Sequence, residues 1–261
     1  MMVVSELYQV SLRLPTELPW ITVAKYFDRI ESTQNRIVQF LPKSGDGAVM
    51  VIAETQTKGV GREGRPWVSA AGGLWFTVAL PLKTLSLGQA ASFSTVAALQ
   101  VAEALQEVNN LKCNVKWPND VLYEGKKLAG ILLTTITKSK KPWMLVGVGI
   151  NVNNSLPAEL AATATSISAI RKQSQGRSRL LEAVLSSIHT AWEEFDKTGF
   201  GPYHKAVEER MVGIGKPVQI KVGSKTLEGT MKAIDAQGNL LLESSAGTKT
   251  VQAGEIVGQP A

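Results

Sequence analysis

The 261-residue sequence has few of the residue types that mark disulfide-linked, metal-cluster or membrane proteins. Its one cysteine, Cys113, allows neither an intramolecular disulfide nor a cysteine-based metal cluster. No run reaches the roughly 18 consecutive apolar residues that a transmembrane helix needs. The charged residues Glu6, Arg13 and Glu17 interrupt the N-terminus, so it does not have the pattern of a signal peptide. These absences predict a cytoplasmic protein with no membrane partner.

Charge of one sign is also not strongly in excess. The formal net charge is +6, and the lysines and arginines are scattered along the chain. Such a balance suits an enzyme that handles anionic nucleotides, and it is too weak to indicate nucleic-acid binding. The two histidines, His189 and His204, are interpreted as structural or surface residues.

Apolar periodicity predicts a mixture of strands and two long helices. One helix is expected from an N-cap at Ser86 to about Val108, and a second around 181–195, ending at Gly199. Apolar, β-branched runs predict the strands, with hairpin turns at Glu124-Gly125 and within the lysine-rich 138–141. The predicted strands are 49–53, 73–80, 112–117, 121–123, 128–137 and 143–151.

The pattern of apolar and polar residues changes at about Gly213. From there four or five short alternating strands follow, separated by glycine-containing turns, which predicts a small β-barrel module. We therefore divide the chain into a domain of residues 1–212 and a C-terminal module of residues 213–261.

A glycine-rich segment, Lys58 to Trp67, reads KGVGREGRPW and matches the G-x-G-x-x-G spacing of dinucleotide-binding turns. That motif requires a helix directly after the glycines and an acidic residue about 20 positions on. Here Pro66, two further glycines and a strand pattern follow instead. The alternative is a flexible loop that closes over an anionic nucleotide, with Arg62 and Arg65 contacting phosphates and Trp67 offering a flat face to a purine.

Four other segments carry polar groups that packing explains poorly. Glu31-Ser32-Thr33-Gln34 supplies hydroxyls and an amide before a short predicted helix, where capping is the simplest role. Lys116-Trp117-Pro118-Asn119-Asp120 combines five different chemical types in five residues. Lys127-Leu128-Ala129-Gly130-Ile131-Leu132 places a lysine and a glycine beside a predicted buried strand, and Gly147-Val148-Gly149-Ile150-Asn151-Val152-Asn153 ends another strand in amides.

With these five segments in this order, the sequence resembles biotin–protein ligases. The family pattern is Ser-Thr-Asn, G-R-G-R-x-G-R-x-W, K-W-P-N-D, K-L-x-G-I-L and G-I-N-x-N, and the likeness extends from about Glu31 into the C-terminal module. The resemblance implies an α+β fold: a mixed, largely antiparallel central sheet packed with helices, as in class II synthetases, plus a C-terminal SH3-like β-barrel.

The resemblance also implies the reaction. Biotin and Mg-ATP would form biotinyl-5′-AMP, and a lysine of a biotin carboxyl carrier protein would then accept the biotin. ATP, Mg²⁺ and biotin are the expected substrates and ion, with no bound prosthetic group and a possible homodimer. A lipoate or octanoate ligase or transferase is the alternative in chemistry. A biotin-responsive DNA-binding repressor is disfavoured because only about 30 residues precede Ser32, and a carrier-binding module without catalysis is disfavoured by Lys127.

By position in the family pattern, the resemblance assigns the site residues. Lys127 and Arg62 are the expected catalytic residues, and Asp120 is a candidate contact to Mg²⁺ through phosphate, or a group that orients a lysine. The expected biotin contacts are Ser32, Thr33, Gln34, Gln56, Val60, Gly61, Arg62, Trp117, Lys127 and Gly130. The expected ATP contacts are Arg62, Arg65, Trp67, Asn119, Asp120, Lys127 and Asn151.

The sequence departs from that pattern at two positions. Val60 stands where the family usually has the first loop arginine, so the contact of that side chain is missing or replaced. Gln34 stands where the family usually has Asn, which alters the floor of the expected biotin pocket.

Overall fold

The computed structural model describes residues 18–43, 47–86 and 88–258, and these residues form two β-sheets with helices packed between and around them. The first 17 residues, which include Glu6, Arg13 and Glu17, lie outside this range. The strands of the larger sheet are β1 (Ile21–Ile30), β2 (Ala48–Gln56), β3 (Leu74–Pro81), β4 (Asn114–Lys116), β5 (Asp120–Tyr123), β6 (Lys126–Lys138) and β7 (Lys141–Ile150). Those of the smaller sheet are β8 (Pro217–Val222), β9 (Lys225–Ile234), β10 (Leu240–Ser244), β11 (Gly247–Val251) and β12 (Glu255–Gly258).

The larger sheet is mixed, with strand order β1-β2-β3-β7-β6-β5-β4. Only β1 and β2 are parallel, and every other neighbouring pair is antiparallel. Both predicted hairpin turns are present: Glu124 and Gly125 have positive φ, as do Ser139 and Lys140. Paired positive φ values match the twist of two-residue hairpin turns, so these residues fix the register of β5 on β6 and of β6 on β7.

Two long helices cover one face of this sheet. They are α2 (Phe93–Asn109) and α4 (Ser178–Thr198), and they pack against each other through the aromatic rings of Phe93, Trp192 and Phe195. The described residues also form three shorter helices, α1 (Thr33–Arg36), α3 (Ile167–Arg171) and α5 (His204–Arg210). The predicted stop of α4 at Gly199 is confirmed, since this residue has φ 71° and donates its N–H to Phe195.

The predicted start of α2 at Ser86 is wrong. Ser86 and Gln89 do form a reciprocal capping pair, in which the Ser86 N–H donates to Gln89 Oε1 at 3.1 Å and the Gln89 N–H donates to Ser86 Oγ at 3.4 Å. The pair opens a 3₁₀ turn over Gln89–Ser92, and regular α-helix begins only at Phe93. Sequence periodicity cannot separate the two because a 3₁₀ turn also places residues three apart on one side.

The opposite face of the sheet is only partly covered. Helix α1 and the 3₁₀ turn Ile37–Phe40 lie across β2, β3 and β7, where Ile37 and Leu41 complete a second apolar cluster with Val51, Trp143 and other sheet residues. The remainder of this face is open, and the polar motifs surround that opening.

The smaller sheet is antiparallel throughout, with order β11-β10-β9-β8-β12, and confirms the SH3-like module expected near the C-terminus. It joins the larger unit through hydrogen bonds as well as apolar packing. Trp117 Nε1 donates to the carbonyl of Gly238 at 3.3 Å, and His204 Nε2 lies 2.6 Å from the carbonyl of Ile234. Among the described residues, no helix has the length and apolar character that crossing a membrane requires.

Candidate active site

A single cavity of about 540 Å³ on the open face of the larger sheet brings the sequence motifs together. Every site residue expected from the sequence contributes to its wall. These residues are Ser32, Thr33, Gln34, Gln56, Val60, Gly61, Arg62, Arg65, Trp67, Trp117, Asn119, Asp120, Lys127, Gly130 and Asn151.

Lys127 lies at the start of β6, directly after the β5–β6 turn, where a register shift interrupts the pairing with β5. Its ammonium group lies 2.7 Å from Asp120 Oδ1 and 5.0 Å from the centre of the Trp67 ring. Its backbone is held from the other side, because its N–H donates to Thr163 O at 2.8 Å and its carbonyl accepts from Thr165 at 3.0 Å. A positive charge is therefore held at a defined point in the cavity wall.

The glycine-rich segment is a closed loop and not a helix entry. Gly61 donates to Arg65 O at 2.7 Å and Trp67 donates to Gly59 O at 2.8 Å, so the segment folds back on itself. The tip contains Glu63 and Gly64, both with positive φ. The residues that follow run into β3, which confirms that no dinucleotide-binding helix follows the glycines.

Both loop arginines reach the C-terminal module. Arg62 Nη1 donates to Gly254 O at 2.9 Å and to Asn119 Oδ1 at 3.4 Å. Arg65 Nη1 pairs with Glu255 Oε1 at 2.5 Å. Burial lowers the pKa of the Arg62 guanidinium, against the opposing effect of nearby carboxylates, whereas the hydrogen bond that Arg65 donates to Glu255 raises the pKa of Arg65. Both groups are cationic at neutral pH because the ordinary pKa of arginine lies far above neutrality.

Gly254 and Glu255 were missed at the sequence level. They lie 192 and 190 residues from the arginines that they contact, in a module whose sequence indicated only short strands. No local signal links them to the arginines, since the contact depends on how the two sheets dock.

Ser32, Thr33 and Gln56 form a polar corner of the cavity. Gln56 Oε1 accepts from the Thr33 N–H at 2.7 Å and from Thr33 Oγ1 at 3.1 Å, and Gln56 Nε2 donates to Ser69 Oγ at 2.8 Å. Ser32 occupies the N-cap position of α1, but its side chain makes no capping hydrogen bond, so the simple capping interpretation is wrong. Within the described residues its buried hydroxyl has no partner, and such a group is costly unless a ligand or water satisfies it.

Two further polar residues, Thr77 and Lys116, also line the cavity although they were not assigned to it. Thr77 Oγ1 lies 2.9 Å from Thr33 Oγ1 and 3.1 Å from Gln34 Oε1. A signal for Thr77 existed, because it is a polar residue within the otherwise apolar strand 74–81 and is fully buried. Lys116 was visible as the first residue of the Lys-Trp-Pro-Asn-Asp segment.

Glycines on two adjacent strands keep the cavity floor flat beneath Trp67. Gly130 and Gly149 are opposite each other on β6 and β7. A Cβ on Gly149 would lie 2.6 Å from Trp67 Nε1, and one on Gly130 would lie 3.0 Å from Trp67 Cζ3. The Trp67 indole therefore rests on bare backbone, and its buried Nε1 has no hydrogen-bond partner among the described residues.

The remaining predicted residues are held by protein contacts at the cavity edge. Asn119 Nδ2 donates to Ile131 O at 2.7 Å, and Asn151 Oδ1 accepts from Asn154 at 3.0 Å. Trp117 is 2% exposed and its N–H is used by Gly238, so only a small part of its ring faces the cavity.

This fold and site define an acyl-activating ligase domain followed by a small β module. Residues 26–151 match the model of the "Biotin/lipoate A/B protein ligase family", and residues 213–257 match the "Biotin protein ligase C terminal domain".

Individual relatives agree with that class. The chain is 32% identical to a biotin–[acetyl-CoA-carboxylase] ligase of Paracoccus denitrificans, over 87% of this chain and 97% of the relative. It is 30% identical to the bifunctional ligase/repressor BirA of Bacillus subtilis, over 88% of this chain and 72% of the relative. A structure of biotin protein ligase from Aquifex aeolicus in complex with biotin and ATP superimposes with a TM-score of 0.78 at 30% identity, covering 90% of this chain and 97% of that one. The chain belongs to the biotin protein ligase family.

Proposed function

We propose that the described cavity performs the two half-reactions of a biotin–[acetyl-CoA-carboxylase] ligase, with Lys127 and Arg62 as its catalytic residues. The observation that carries this assignment is the combination, in one cavity, of an unpartnered buried hydroxyl, Ser32, with a fixed ammonium group and two loop guanidinium groups. A carboxylic acid with a ureido ring needs a polar group such as the hydroxyl, and a nucleoside triphosphate needs the cations. Both kinds of group are present together in this cavity.

In the first half-reaction, a biotin carboxylate oxygen attacks the α-phosphorus of ATP, and the bond from that phosphorus to the pyrophosphate oxygen breaks. Two anionic groups must approach each other, so cations that are already in position lower the barrier. Lys127 bridges the carboxylate and the α-phosphate, while Arg62 and Arg65 exchange their contacts with the C-terminal module for contacts with phosphate oxygens. The products are biotinyl-5′-AMP and pyrophosphate.

In the second half-reaction, the neutral ε-amine of an acceptor lysine attacks the carbonyl carbon of the mixed anhydride. The carbon–oxygen bond to AMP breaks, AMP leaves as an anion, and the amine loses a proton as the amide forms. Lys127 stabilises the departing phosphate. Asp120, released from Lys127, orients the incoming lysine or would hold Mg²⁺ that accompanies the nucleotide phosphates.

The polar corner of the cavity recognises the ureido ring of biotin. Ser32 supplies the hydroxyl that has no hydrogen-bond partner in the described part of the chain, and Thr33 and Gln56 supply the oriented groups beside it. Val60, Gly61, Gly130 and the exposed edge of Trp117 provide apolar or backbone surface for the thiophane ring and the tail. A plain acyl chain, as in lipoate or octanoate, would leave the Ser32 hydroxyl unsatisfied, which favours biotin.

The nucleotide lies against the remaining wall. Trp67 stacks on the adenine, Asn151 contacts the edge of the base, and Asn119 lies beside the phosphates. No group of three metal-ligating side chains occurs among residues 18–43, 47–86 and 88–258, so this part of the chain fits an ion that arrives with the phosphates better than a protein-only site. Mg²⁺ would neutralise phosphate charge, and Asp120 is the carboxylate placed to contact it.

The acceptor is a biotin carboxyl carrier protein, and the enzyme works in the cytoplasm, where ATP is available. A homodimer is a further proposal, supported by β6. From Leu132 to Lys138 this strand pairs with β7, and no other strand of the described residues occupies its second edge. Light scattering with and without biotin and ATP tests it. Absence of a nucleic-acid partner remains a prediction, which a gel-shift assay at physiological salt checks.

The test of the proposed function is a mass-spectrometric search for the acyl-adenylate. The pure protein is incubated with Mg-ATP and, in separate tubes, with biotin, lipoate or octanoate. Biotinyl-AMP alone is the expected product. Lipoyl- or octanoyl-AMP would move the chain to the alternative acyl ligases, and the absence of any adenylate would contradict the proposal.

A further inference from the structure

The side chain of Gln34 makes its hydrogen bonds within the protein. Its Nε2 donates to Thr134 Oγ1 at 2.8 Å and also faces the carbonyls of Leu145 at 3.3 Å and Leu132 at 3.5 Å. Because backbone carbonyls only accept, the amide must present its nitrogen to them, so its orientation is unambiguous. The other end, Oε1, lies 3.1 Å from Thr77 Oγ1. One carboxamide thus connects α1 to three strands of the sheet.

Gly147 is the residue that makes room for this carboxamide. It is opposite Leu132 on β6 and Thr77 on β3. A Cβ on Gly147 would lie 2.5 Å from Gln34 Oε1, closer than any real Cβ contact. The Gln34 amide therefore fills the space that a side chain on β7 would otherwise take, and it forms part of the cavity floor.

Thr134 stands outside the cavity wall, although its hydroxyl is the nearest acceptor for the Gln34 amide. The two residues are 100 positions apart, and Thr134 lies in none of the motifs that carry the family resemblance. An asparagine at position 34 would be shorter by about one carbon–carbon bond and would leave Thr134 Oγ1 beyond hydrogen-bonding distance. The departure from the family pattern at position 34 is thus matched by a specific partner on β6.

We propose that the Gln34–Thr134 hydrogen bond is a positioning device for biotin recognition. It holds the Ser32–Gln34 turn against β6 and β7, so that the unpartnered Ser32 hydroxyl faces the cavity at a fixed depth. Thr134 is a positioning residue that touches no substrate. The proposal rests on the proposed function, because it assumes that biotin is the ligand beside Ser32.

The variant that tests it is Thr134→Val, which keeps the β-branched shape and removes the acceptor. We expect the KM for biotin to rise about three- to tenfold, the scale of one hydrogen bond, with kcat and the KM for ATP within twofold of the parent. Thr134→Ser restores the acceptor and should return the KM to the parent value. Thr135→Val is the matched control, since it lies next on the same strand and points to the opposite face.

A second substitution changes the other partner of the hydrogen bond, the donor Gln34. Gln34→Asn should raise the KM for biotin as Thr134→Val does, and the double variant should be no worse than the worse single one, because the same bond is lost only once. Thermal melting of each variant separates a folding defect from a change in the site.

Unchanged biotin KM in Thr134→Val would overturn the proposal. The proposal would also be overturned if Thr134→Val lowered kcat and the melting temperature, raised the KM for ATP as much as that for biotin, and was not rescued by Thr134→Ser. That pattern indicates a merely structural role. Calorimetric binding of biotin to parent and variant is measured alongside. If the parent makes no biotinyl-AMP but binds biotin, the proposed function fails while the affinity ratio still decides the positioning role. If the parent binds no biotin, both proposals fail.

Discussion

At the scale of single residues, Lys127 shows how a cation is held at a defined point of the cavity wall. Its ammonium group is paired with Asp120 at 2.7 Å and lies beside the Trp67 ring. These contacts compensate its charge and restrict its position. A preorganised charge costs little reorganisation when the reacting phosphate arrives. The neighbouring Lys126 points elsewhere and donates to Ala161 O at 2.8 Å.

Lys127→Ala should therefore slow formation of biotinyl-AMP by about two to three decades, the usual effect of losing one such group. Single-turnover assays with labelled ATP measure the rate. Lys126→Ala is the control and should stay within about threefold of the parent. A Lys127→Ala enzyme that is also within threefold would remove this residue from the mechanism.

Cys113 is a residue whose chemistry the fold suppresses. It is fully buried, and that burial raises the pKa of its thiol to about 12. At pH 8 the thiol is therefore almost entirely protonated, and only the thiolate reacts with alkylating reagents.

We expect native Cys113 to react with iodoacetamide at pH 8 roughly three decades more slowly than in denaturant, where the thiol has its ordinary pKa near 8.5. Mass spectrometry of timed samples gives both rates. Comparable rates in the two conditions would show that the site opens readily.

At the scale of elements, the loop from Gly59 to Trp67 is fixed at its base and is held near its tip by contacts with the C-terminal module. Its base closes on itself through backbone hydrogen bonds, and Arg62 connects it to Asn119 and to Gly254. A loop held in this way can close over a hydrolysable adenylate and exclude water.

Arg62→Ala should release biotinyl-AMP to solvent about tenfold faster or more, since the variant lacks a charge-assisted contact. Rapid filtration of preformed adenylate complex measures the leakage. Glu63→Gln lies on the same loop, keeps the arginine contacts, and should leak like the parent. An unchanged leakage rate in Arg62→Ala would contradict the closing role.

At the scale of the whole molecule, the C-terminal module completes the site through its packing on the larger unit. Gly238 is central to that packing, because its carbonyl accepts from Trp117 and its Cα faces the 3₁₀ turn before α2 and the α4–α5 connection. An added Cβ would lie 2.7 Å from Ser92 Cβ and 2.9 Å from Phe200 Cδ2, at φ +87°.

Gly238→Ala should destabilise the protein by about 2–4 kcal/mol through overpacking and backbone strain, which lowers Tm by about 5–10 °C for a chain of this size. Calorimetry checks the shift. Gly247→Ala is the matched control: it also has positive φ, +102°, but meets open space, so it carries only the strain, about 1 kcal/mol. Equal shifts in both variants would show that the Gly238 contact adds nothing.

The sequence by itself determined most of the strands and helices of this protein and the types of residue that line its cavity. Period-two and helical apolar patterns placed both long helices and the strands that follow β1, whereas β1 itself was not predicted. A Glu-Gly pair and a lysine-rich segment placed the two hairpin turns of the larger sheet, and five motifs supplied most of the polar residues that line the cavity. The division at residue 213 and the individual roles of those residues remain predictions. The family could be recognised from the sequence because each motif is a short run of neighbouring residues, and the order and spacing of the five motifs are visible without a structure.

Only the tertiary structure decided which distant groups meet. Arg62 reaches Gly254 and Gln34 reaches Thr134 because sheets dock and strands pair in a particular register, and neither contact leaves a local trace. The start of α2 after a 3₁₀ turn, and the freedom of the Ser32 hydroxyl from its expected cap, were likewise set by packing. Propensity describes what a short segment can do alone, whereas these features depend on the free energy of the whole packed chain.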